Sequence, residues 1–169
     1  MLRGRVFKFG DNISTDHIVP GRLLHMRSNL PELAKHVLED ADPTFAQRVK
    51  KGDFVVGGKN FGLGSSREHA PLVIKMSGVS AILASSVARI FFRNAINVGL
   101  PVLICDTESI RDGDELEIDL GSGSITNKTT STEIHFSSMP DIMLRILNEG
   151  GLIPYIKKHK DFIVNPREK

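Results

Sequence analysis

The 169-residue sequence is 40% hydrophobic and 25% charged, which is ordinary for a soluble globular protein, and its length predicts one domain with its own core. Its formal net charge of +2 is too small to favour nucleic-acid binding. Neither a transmembrane run nor a signal-peptide pattern occurs, so we expect a cytoplasmic protein that avoids membranes. The single cysteine, Cys105, excludes an internal disulfide and is too few for an iron–sulfur cluster, which needs three or four thiolates.

The N-terminal part of the chain predicts a strand, a polar turn and two short helices. Residues 2–9 have the apolar content of a strand, whereas residues 31–38 and 42–49 have apolar positions at helical spacing. The turn carries Asp16 next to His17. Side chains that are adjacent in sequence rarely face each other, so the residues alone favour no functional role for this pair.

A glycine-rich loop after the buried strand 54–56 is the most informative stretch. Four glycines allow positive φ angles and a close approach to a ligand. Pro71 suits the first position of a helix, which predicts that Ser65, Ser66 and Arg67 lie just before a helix N-terminus. Two hydroxyls, free N–H groups and a guanidinium at such a place predict binding of a carboxylate or phosphate.

Common glycine-rich motifs do not fit this loop. A P-loop would need Lys after Gly64, and a dinucleotide fingerprint starting at Gly62 would need glycine where Arg67 stands. A nucleophile elbow would need glycine two residues after Ser65 or Ser66. From the residues alone, an anion site and a plain strand-to-helix turn with capping serines therefore remain about equally supported.

The middle of the chain predicts a β-α-β-α-β series, hence an α/β fold with a partly parallel sheet. The helices are expected at 72–77 and 87–98, the second capped by Ser85 or Ser86, and the strands at 79–84 and 100–105. Ligand loops in such folds lie at the carboxyl ends of the strands, where the glycine-rich loop falls. Arg89 and Arg93 share one helix face, and we expect them to pair with acids of the domain or to cap carbonyls rather than to contact a ligand.

The C-terminal part is expected to be rich in β-structure. The predicted elements are a strand at 115–120, a turn at 121–124, a returning strand at 124–136, a helix at 142–147, a short strand at 152–156 and a frayed tail at 158–169. Neither internal repeats nor linkers interrupt the chain, so residues 1–169 are expected to form one domain.

Three separated blocks give the sequence a family resemblance: KFGDNISTDHIVP at 8–20, GLGSSREHA at 62–70 and ARIFFRNAINVGL at 88–100. They resemble the aconitase superfamily, and more narrowly the small subunits of 3-isopropylmalate dehydratase and homoaconitase. The likeness covers residues 3–158. It departs at Leu63, where many members have Cys, and at Val87, where most have Phe, and neither change removes a catalytic group.

The resemblance implies a three-layer β/β/α swivelling domain that closes over a separate large subunit, in a heterodimer or heterotetramer. In the family that partner carries a [4Fe–4S] cluster, and the small subunit itself binds no metal. By position in the motif, Ser65 matches the catalytic base, Arg67 the arginine that binds a substrate carboxylate, and Ser66 a hydrogen-bonding helper. Asp16 matches a residue that orients the arginine or the serine.

The resemblance also indicates a substrate class, namely small dicarboxylates or tricarboxylates in a hydro-lyase reaction. In the family, the loop around Leu24, His25 and Met26 contacts the group that distinguishes substrates. Two apolar residues favour isomerisation of 2-isopropylmalate to 3-isopropylmalate in leucine biosynthesis, and His25→Arg is expected to favour tricarboxylates. A homoaconitase-type small subunit is the alternative, and an anion-binding or RNA-binding module without enzymatic activity is less favoured.

Overall fold

A computed structural model describes residues 1–160 of the chain. Seven strands span β1 (Leu2–Lys8), β2 (Phe54–Val56), β3 (Ala81–Ala84), β4 (Val102–Ile104), β5 (Glu115–Asp119), β6 (Ser124–Asn127) and β7 (Thr132–His135). Seven α-helices span α1 (Thr15–Ile18), α2 (Leu30–Ala34), α3 (Phe45–Arg48), α4 (His69–Met76), α5 (Arg89–Asn97), α6 (Asp141–Asn148) and α7 (Leu152–His159), and a 3-10 helix covers Gly21–Met26. No helix within residues 1–160 has the length and apolar content needed to cross a membrane.

One sheet contains all seven strands in the order β4-β3-β2-β1-β5-β6-β7. Strands β1 to β4 are parallel neighbours, and β1, β5, β6 and β7 form an antiparallel half. The two halves meet in β1, whose first residues pair with β5 and whose last residues pair with β2. The predicted parallel β-α-β units are thus confirmed, with an antiparallel meander added at one edge.

Alternate residues of the parallel strands enter two different cores. Val55 packs on one face with side chains of the helices, among them Val73 and Phe91. Phe54 and Val56 pack on the opposite face with residues of the antiparallel strands. The parallel half therefore lies between a helical layer and the curled antiparallel half, which is the predicted β/β/α arrangement.

The structure corrects two expected strands. Residues 152–156 lie in α7, where Pro154 occupies the first turn and Tyr155 packs with α5 and α6, because a short apolar run fits a helix as well as a strand. Residues 124–136 form a two-stranded hairpin with a turn at 128–131 rather than one strand. The tail expected at 158–169 begins inside α7, and residues 161–169 lie outside the described part of the chain.

Two helix starts were also placed wrongly. Helix α4 begins at His69, so Pro71 is its third residue, a position in the first turn that needs no N–H donor. Helix α5 begins at Arg89 after Ala88, and Ser85 and Ser86 do not cap it. The Ser86 hydroxyl instead accepts a hydrogen bond from the Asn60 N–H at 2.8 Å, which fixes the glycine-rich loop.

Candidate active site

The loop between β2 and α4, residues 57–68, lies at the carboxyl end of the parallel strands and has backbone partners on both sides. On one side the Gly62 N–H donates to the Ile13 carbonyl at 2.7 Å. On the other side the Ala88 N–H donates to the Phe61 carbonyl at 2.9 Å. These bonds join three segments that are distant in sequence, so the loop, the N-terminal turn and the start of α5 form one unit.

Gly62 allows α5 to approach the loop closely. Its φ is +76°, and a Cβ atom there would lie 2.3 Å from Cγ of Phe91. The Phe91 ring also packs edge-on against Phe61 with 5.5 Å between ring centroids. A side chain at Gly62 would therefore displace the first turn of α5 from the loop.

Arg67 is held by one end of its guanidinium group. Its Nη1 donates to the Val19 carbonyl at 2.6 Å and lies 2.5 Å from Oδ1 of Asp16. The Arg67 side chain is 14% exposed, whereas that of Asp16 is 67% exposed. Within residues 1–160, Nε and Nη2 of Arg67 have no hydrogen-bond partner, so this part of the fork is available to an anion.

Ser65 and Ser66 are exposed, and their hydroxyl groups form no hydrogen bond with any of residues 1–160. The backbone of Ser65 is well fixed nevertheless. Its carbonyl accepts from Oγ1 of Thr15 at 3.0 Å and from the Arg67 N–H at 2.8 Å. The Ser65 hydroxyl is therefore free to contact a ligand while its backbone stays in place.

The two serines and Arg67 border a cavity of about 360 Å³ between the loop and α5, called here the first cavity. Its walls contain two arginines and no acidic side chain among the described residues. The lining consists of Thr15, Gly62, Gly64, Ser65, Ser66, Arg67, Ala88, Arg89, Ile90, Phe91 and Asn94. Of these two arginines only Arg67 is paired with a carboxylate, that of Asp16, so the remaining positive charge favours an anionic ligand.

An adjoining second cavity of about 570 Å³ shares Ser66, Arg67, Ile90 and Asn94 with the first. Its remaining lining residues are Leu24, Arg27, Glu68 and His69. The two cavities together are called here the trough, and its lining includes the hydroxyl groups of Ser65 and Ser66 and the side chain of Leu24.

His69 stands at the start of α4 with an unsatisfied polar atom. Its Nε2 is buried and has no hydrogen-bond partner within the described chain. Burial, and next the positive charge of Arg67, lower the pKa of His69 below its ordinary value. A neutral imidazole is therefore expected at neutral pH.

The predicted site residues divide into two groups. Ser65, Ser66 and Arg67 share the first cavity, Asp16 reaches it through Arg67, and Leu24 lines the second cavity.

His25 and Met26 line neither cavity. His25 is exposed, with its Nδ1 3.0 Å from the Arg22 carbonyl, and Met26 packs against the helical-layer core. Arg22 pairs with Glu39 and Asp40 and lines neither cavity. Substrate contact by His25 and Met26 stays a prediction.

Sequence reasoning did not assign Ile90, Asn94 or Thr15 to the site, and it expected Arg89 to pair with an acid or to cap a carbonyl. Arg89 has no ion pair or hydrogen bond within residues 1–160, and it lines the first cavity. The sequence could have placed the start of α5 near the glycine-rich loop, because α5 follows β3 directly and the carboxyl ends of parallel strands meet at one edge of the sheet.

The donor atoms of this chain do not fit an iron–sulfur cluster. Cys105 is buried, and burial raises the pKa of its thiol to about 11, whereas a ligand must be a thiolate. Residues 1–160 contain no group of three or more His, Cys, Asp or Glu side chains that could hold a metal ion. The described part of the chain therefore offers no set of ligands for a cluster.

Comparison with known proteins agrees with the fold. Residues 19–107 match the family described as Aconitase C-terminal domain. The chain is 66% identical over 158 residues to 3-isopropylmalate dehydratase small subunit 2 of Archaeoglobus fulgidus, covering 94% of this chain and 96% of that protein. It is 53% identical over 161 residues to the methanogen homoaconitase small subunit of Methanothermobacter thermautotrophicus, covering 95% and 94% of the two chains.

A solved structure gives the same result. The crystal structure of 3-isopropylmalate dehydratase from Methanocaldococcus jannaschii superposes with a TM-score of 0.90 at 45% identity, covering 94% of this chain and 95% of that chain. Fold, length and sequence thus agree along nearly the whole protein. The chain therefore belongs to the aconitase C-terminal domain family and, within it, to the 3-isopropylmalate dehydratase small subunits.

Proposed function

We propose that the chain is the small subunit of a cytoplasmic hydro-lyase that isomerises 2-isopropylmalate to 3-isopropylmalate. The reaction removes water from one pair of adjacent carbons and adds it back with the hydroxyl and hydrogen exchanged. A large subunit completes the enzyme as a heterodimer or heterotetramer, and its [4Fe–4S] cluster supplies a Lewis acid for the substrate hydroxyl. The single observation that carries the proposal is the placement of Ser65, Ser66 and Arg67 around one cavity that no acidic side chain of residues 1–160 lines.

Ser65 is proposed as the base: its deprotonated oxygen takes the proton next to a substrate carboxylate, which restores the hydroxyl, and the hydroxyl returns a proton during rehydration. A serine hydroxyl is a weak base at its ordinary pKa and needs a positively charged, donor-rich surrounding. The free hydroxyl of Ser65, its fixed backbone and the neighbouring Arg67 support this role. Ser66 is proposed to hydrogen-bond the same part of the substrate.

Arg67 is proposed to bind the carboxylate next to the reacting carbon. Negative charge spreads onto this carboxylate when the proton leaves, so a guanidinium that already points at it lowers the barrier. Asp16 and Val19 hold Nη1, which leaves the other donors for the substrate. Asp16 is accordingly a positioning residue, because it acts through Arg67.

The isopropyl group of the substrate is proposed to contact Leu24 and Ile90 in the trough. Removing a few methylene contacts changes discrimination by about 1–3 kcal/mol. A homoaconitase-type tricarboxylate is the second candidate, because Arg27 lines the second cavity and has no ion pair within residues 1–160. The ratio of kcat/KM for isopropylmaleate and cis-homoaconitate decides between the two, and we expect isopropylmaleate to be preferred.

The role of Ser65 is tested in the enzyme assembled with its large subunit. Ser65→Ala is expected to lower kcat by about three orders of magnitude or more with little change in substrate affinity. Ser66→Ala is the matched control at the neighbouring serine, and it should lower kcat roughly tenfold, since it removes a hydrogen bond rather than the base. A Ser65→Ala enzyme within about tenfold of wild type would assign the base to another residue. The isolated small subunit should be inactive in both forms.

A further inference from the structure

Thr15 connects the N-terminal turn to the residue proposed as the base. Thr15 is 2% exposed, and its hydroxyl donates a hydrogen bond to the Ser65 carbonyl at 3.0 Å. The Thr15 N–H donates to the Leu63 carbonyl at 2.8 Å. A Cβ atom at Gly64, the residue between them, would lie only 3.1 Å from Oγ1 of Thr15. The absence of a side chain at Gly64 thus leaves the space through which the hydroxyl reaches Ser65.

Helix α1 gives the Thr15 side chain a fixed base. A reciprocal cap closes the start of this helix, because the Ser14 hydroxyl accepts from the His17 N–H at 3.2 Å and the Ser14 N–H donates to Nδ1 of His17 at 2.9 Å. At the other end of the turn, Ile18 and Val19 are buried in the helical-layer core. A hydrogen bond from this turn therefore restricts the movement of the residue that accepts it.

We propose that Thr15 is a positioning residue that fixes the Ser65 hydroxyl against the reacting carbon of the substrate. This inference rests on the proposed function, in which Ser65 is the base. The Ser65 hydroxyl has no hydrogen-bond partner among residues 1–160, so its position depends on the backbone that carries it. A base must lie within hydrogen-bond reach of the proton it removes, and a displacement of about 1 Å can lower a rate 100-fold.

Two adjacent residues of α1 would then hold the two principal groups of the site. Thr15 holds the backbone of Ser65, and Asp16 contacts the guanidinium of Arg67. The two contacts predict different kinetic effects. Loss of the Thr15 contact displaces the base and should act on kcat, whereas loss of the Asp16 contact releases the carboxylate-binding group and should act mainly on KM.

Thr107 provides a matched control at the other end of the same loop. It is also 2% exposed, and its hydroxyl donates to the Gly57 carbonyl at 2.9 Å and lies 3.1 Å from Oγ of Ser85. Gly57 is the first residue of the loop, and Thr107 lines neither cavity of the trough. Removing the Thr107 hydroxyl should therefore weaken the loop without releasing Ser65.

Steady-state kinetics of isopropylmaleate hydration by the assembled enzyme tests the proposal. Thr15→Val keeps nearly the same shape but removes the donor, and it should lower kcat about 10–100-fold while KM changes less than about threefold. Thr15→Ser keeps the hydroxyl, so its kcat should stay within about threefold of wild type. Thr107→Val should lower the urea midpoint of the isolated chain about as much as Thr15→Val does, but it should lower kcat less than about threefold.

A double-mutant cycle measures whether Thr15 acts through Ser65. If it does, adding Thr15→Val to the Ser65→Ala enzyme should lower the residual activity less than about twofold, because the base that Thr15 positions is already absent. Losses that multiply in the double variant would overturn the proposal, since Thr15 would then act on another group.

Three other outcomes would also contradict the role of Thr15. A Thr15→Val enzyme with kcat within about threefold of wild type would show that the backbone bonds alone place Ser65. Equal losses of kcat in Thr15→Val and Thr107→Val would make Thr15 a structural residue of the loop. So would a Thr15→Val chain that no longer co-elutes with the large subunit while Thr15→Ser does.

The variants separate failure of this inference from failure of the proposed base. An inactive Ser65→Ala enzyme together with an unimpaired Thr15→Val enzyme would refute the role of Thr15 and leave Ser65 as the base. A Ser65→Ala enzyme with nearly full activity would refute the base itself, and the positioning role of Thr15 would fail with it.

Discussion

Gly62→Ala is expected to destabilise the protein more than an alanine at another glycine of similar conformation. The new Cβ would lie 2.3 Å from Cγ of Phe91. Because ordinary contacts begin near 3.4 Å, helix α5 or the loop must move by roughly 1 Å, and overpacking of this kind costs about 1–3 kcal/mol. The positive φ of +76° adds about 1–2 kcal/mol of backbone strain.

Gly150→Ala provides the matched control for backbone strain. Gly150 has a similar φ of +86°, but a Cβ there meets no atom within 4 Å. Gly150→Ala should therefore lower the free energy of unfolding by only about 1–2 kcal/mol. The remaining difference between the two variants, about 1–3 kcal/mol, is the cost of the contact with Phe91. Urea unfolding of the isolated chains measures both values. Equal free energies of unfolding would refute the proposed packing of the loop against α5.

Activity gives a second measurement of the same displacement. A shift of about 1 Å in groups that position a substrate can lower the rate up to 100-fold. In the assembled enzyme, Gly62→Ala should therefore lower kcat/KM by at least about tenfold, and Gly150→Ala should leave it nearly unchanged. A stable Gly62→Ala enzyme with full activity would show that the first cavity tolerates movement of α5.

Three further predictions concern single side chains of the trough. Arg67→Lys should raise KM and lower kcat in steady-state assays, because an ammonium cannot contact Val19 and a carboxylate with the same geometry. Because the pKa of His69 is lowered in the folded chain, the unfolded chain binds a proton at this histidine at a higher pH than the folded chain does. The free energy of unfolding should therefore fall as the pH decreases below about 6.5. His69→Gln should reduce this dependence on pH in urea titrations between pH 5 and 8. Leu24→Arg should reduce kcat/KM for isopropylmaleate relative to cis-homoaconitate more than His25→Arg does, since only Leu24 of the two lines a cavity.

Local patterns in the sequence predicted most of the helical and parallel part of the fold. The apolar runs at 54–56, 79–84 and 100–105 identify strands because they are short, continuous and bounded by turn residues. The run at 152–156 has the same composition but lies in α7, since Gly151 starts a helix whose Tyr155 fills a gap beside α5 and α6. Packing against α5 and α6 determines that these residues are helical, and the periodicity of five residues cannot reveal this.

The glycine-rich loop was predictable as a candidate site, but the cavity-lining residues of α5 were not. Ser65, Ser66 and Arg67 were predicted as site residues because their residue types suit an anion site and their motif resembles that of the family, and the structure places all three around one cavity. Arg89 is distant from them in sequence, and its share in the same cavity depends on how α5 docks on the loop. Helical spacing placed Arg89 and Arg93 on one face, but it could not tell which of the two borders a cavity.

The ion pair between Asp16 and Arg67 acts on geometry more than on stability. Asp16 is 67% exposed, and pairs with such exposure contribute only about 0–1 kcal/mol to folding. Asp16 and the Val19 carbonyl both engage Nη1, which fixes one edge of the guanidinium and orients the free Nη2 and Nε. The N-terminal turn therefore fixes the orientation of the Arg67 guanidinium, and Asp16→Asn should impair substrate binding while leaving the free energy of unfolding within about 1 kcal/mol of wild type. A loss of several kcal/mol in that variant would instead make the pair a structural contact of the fold.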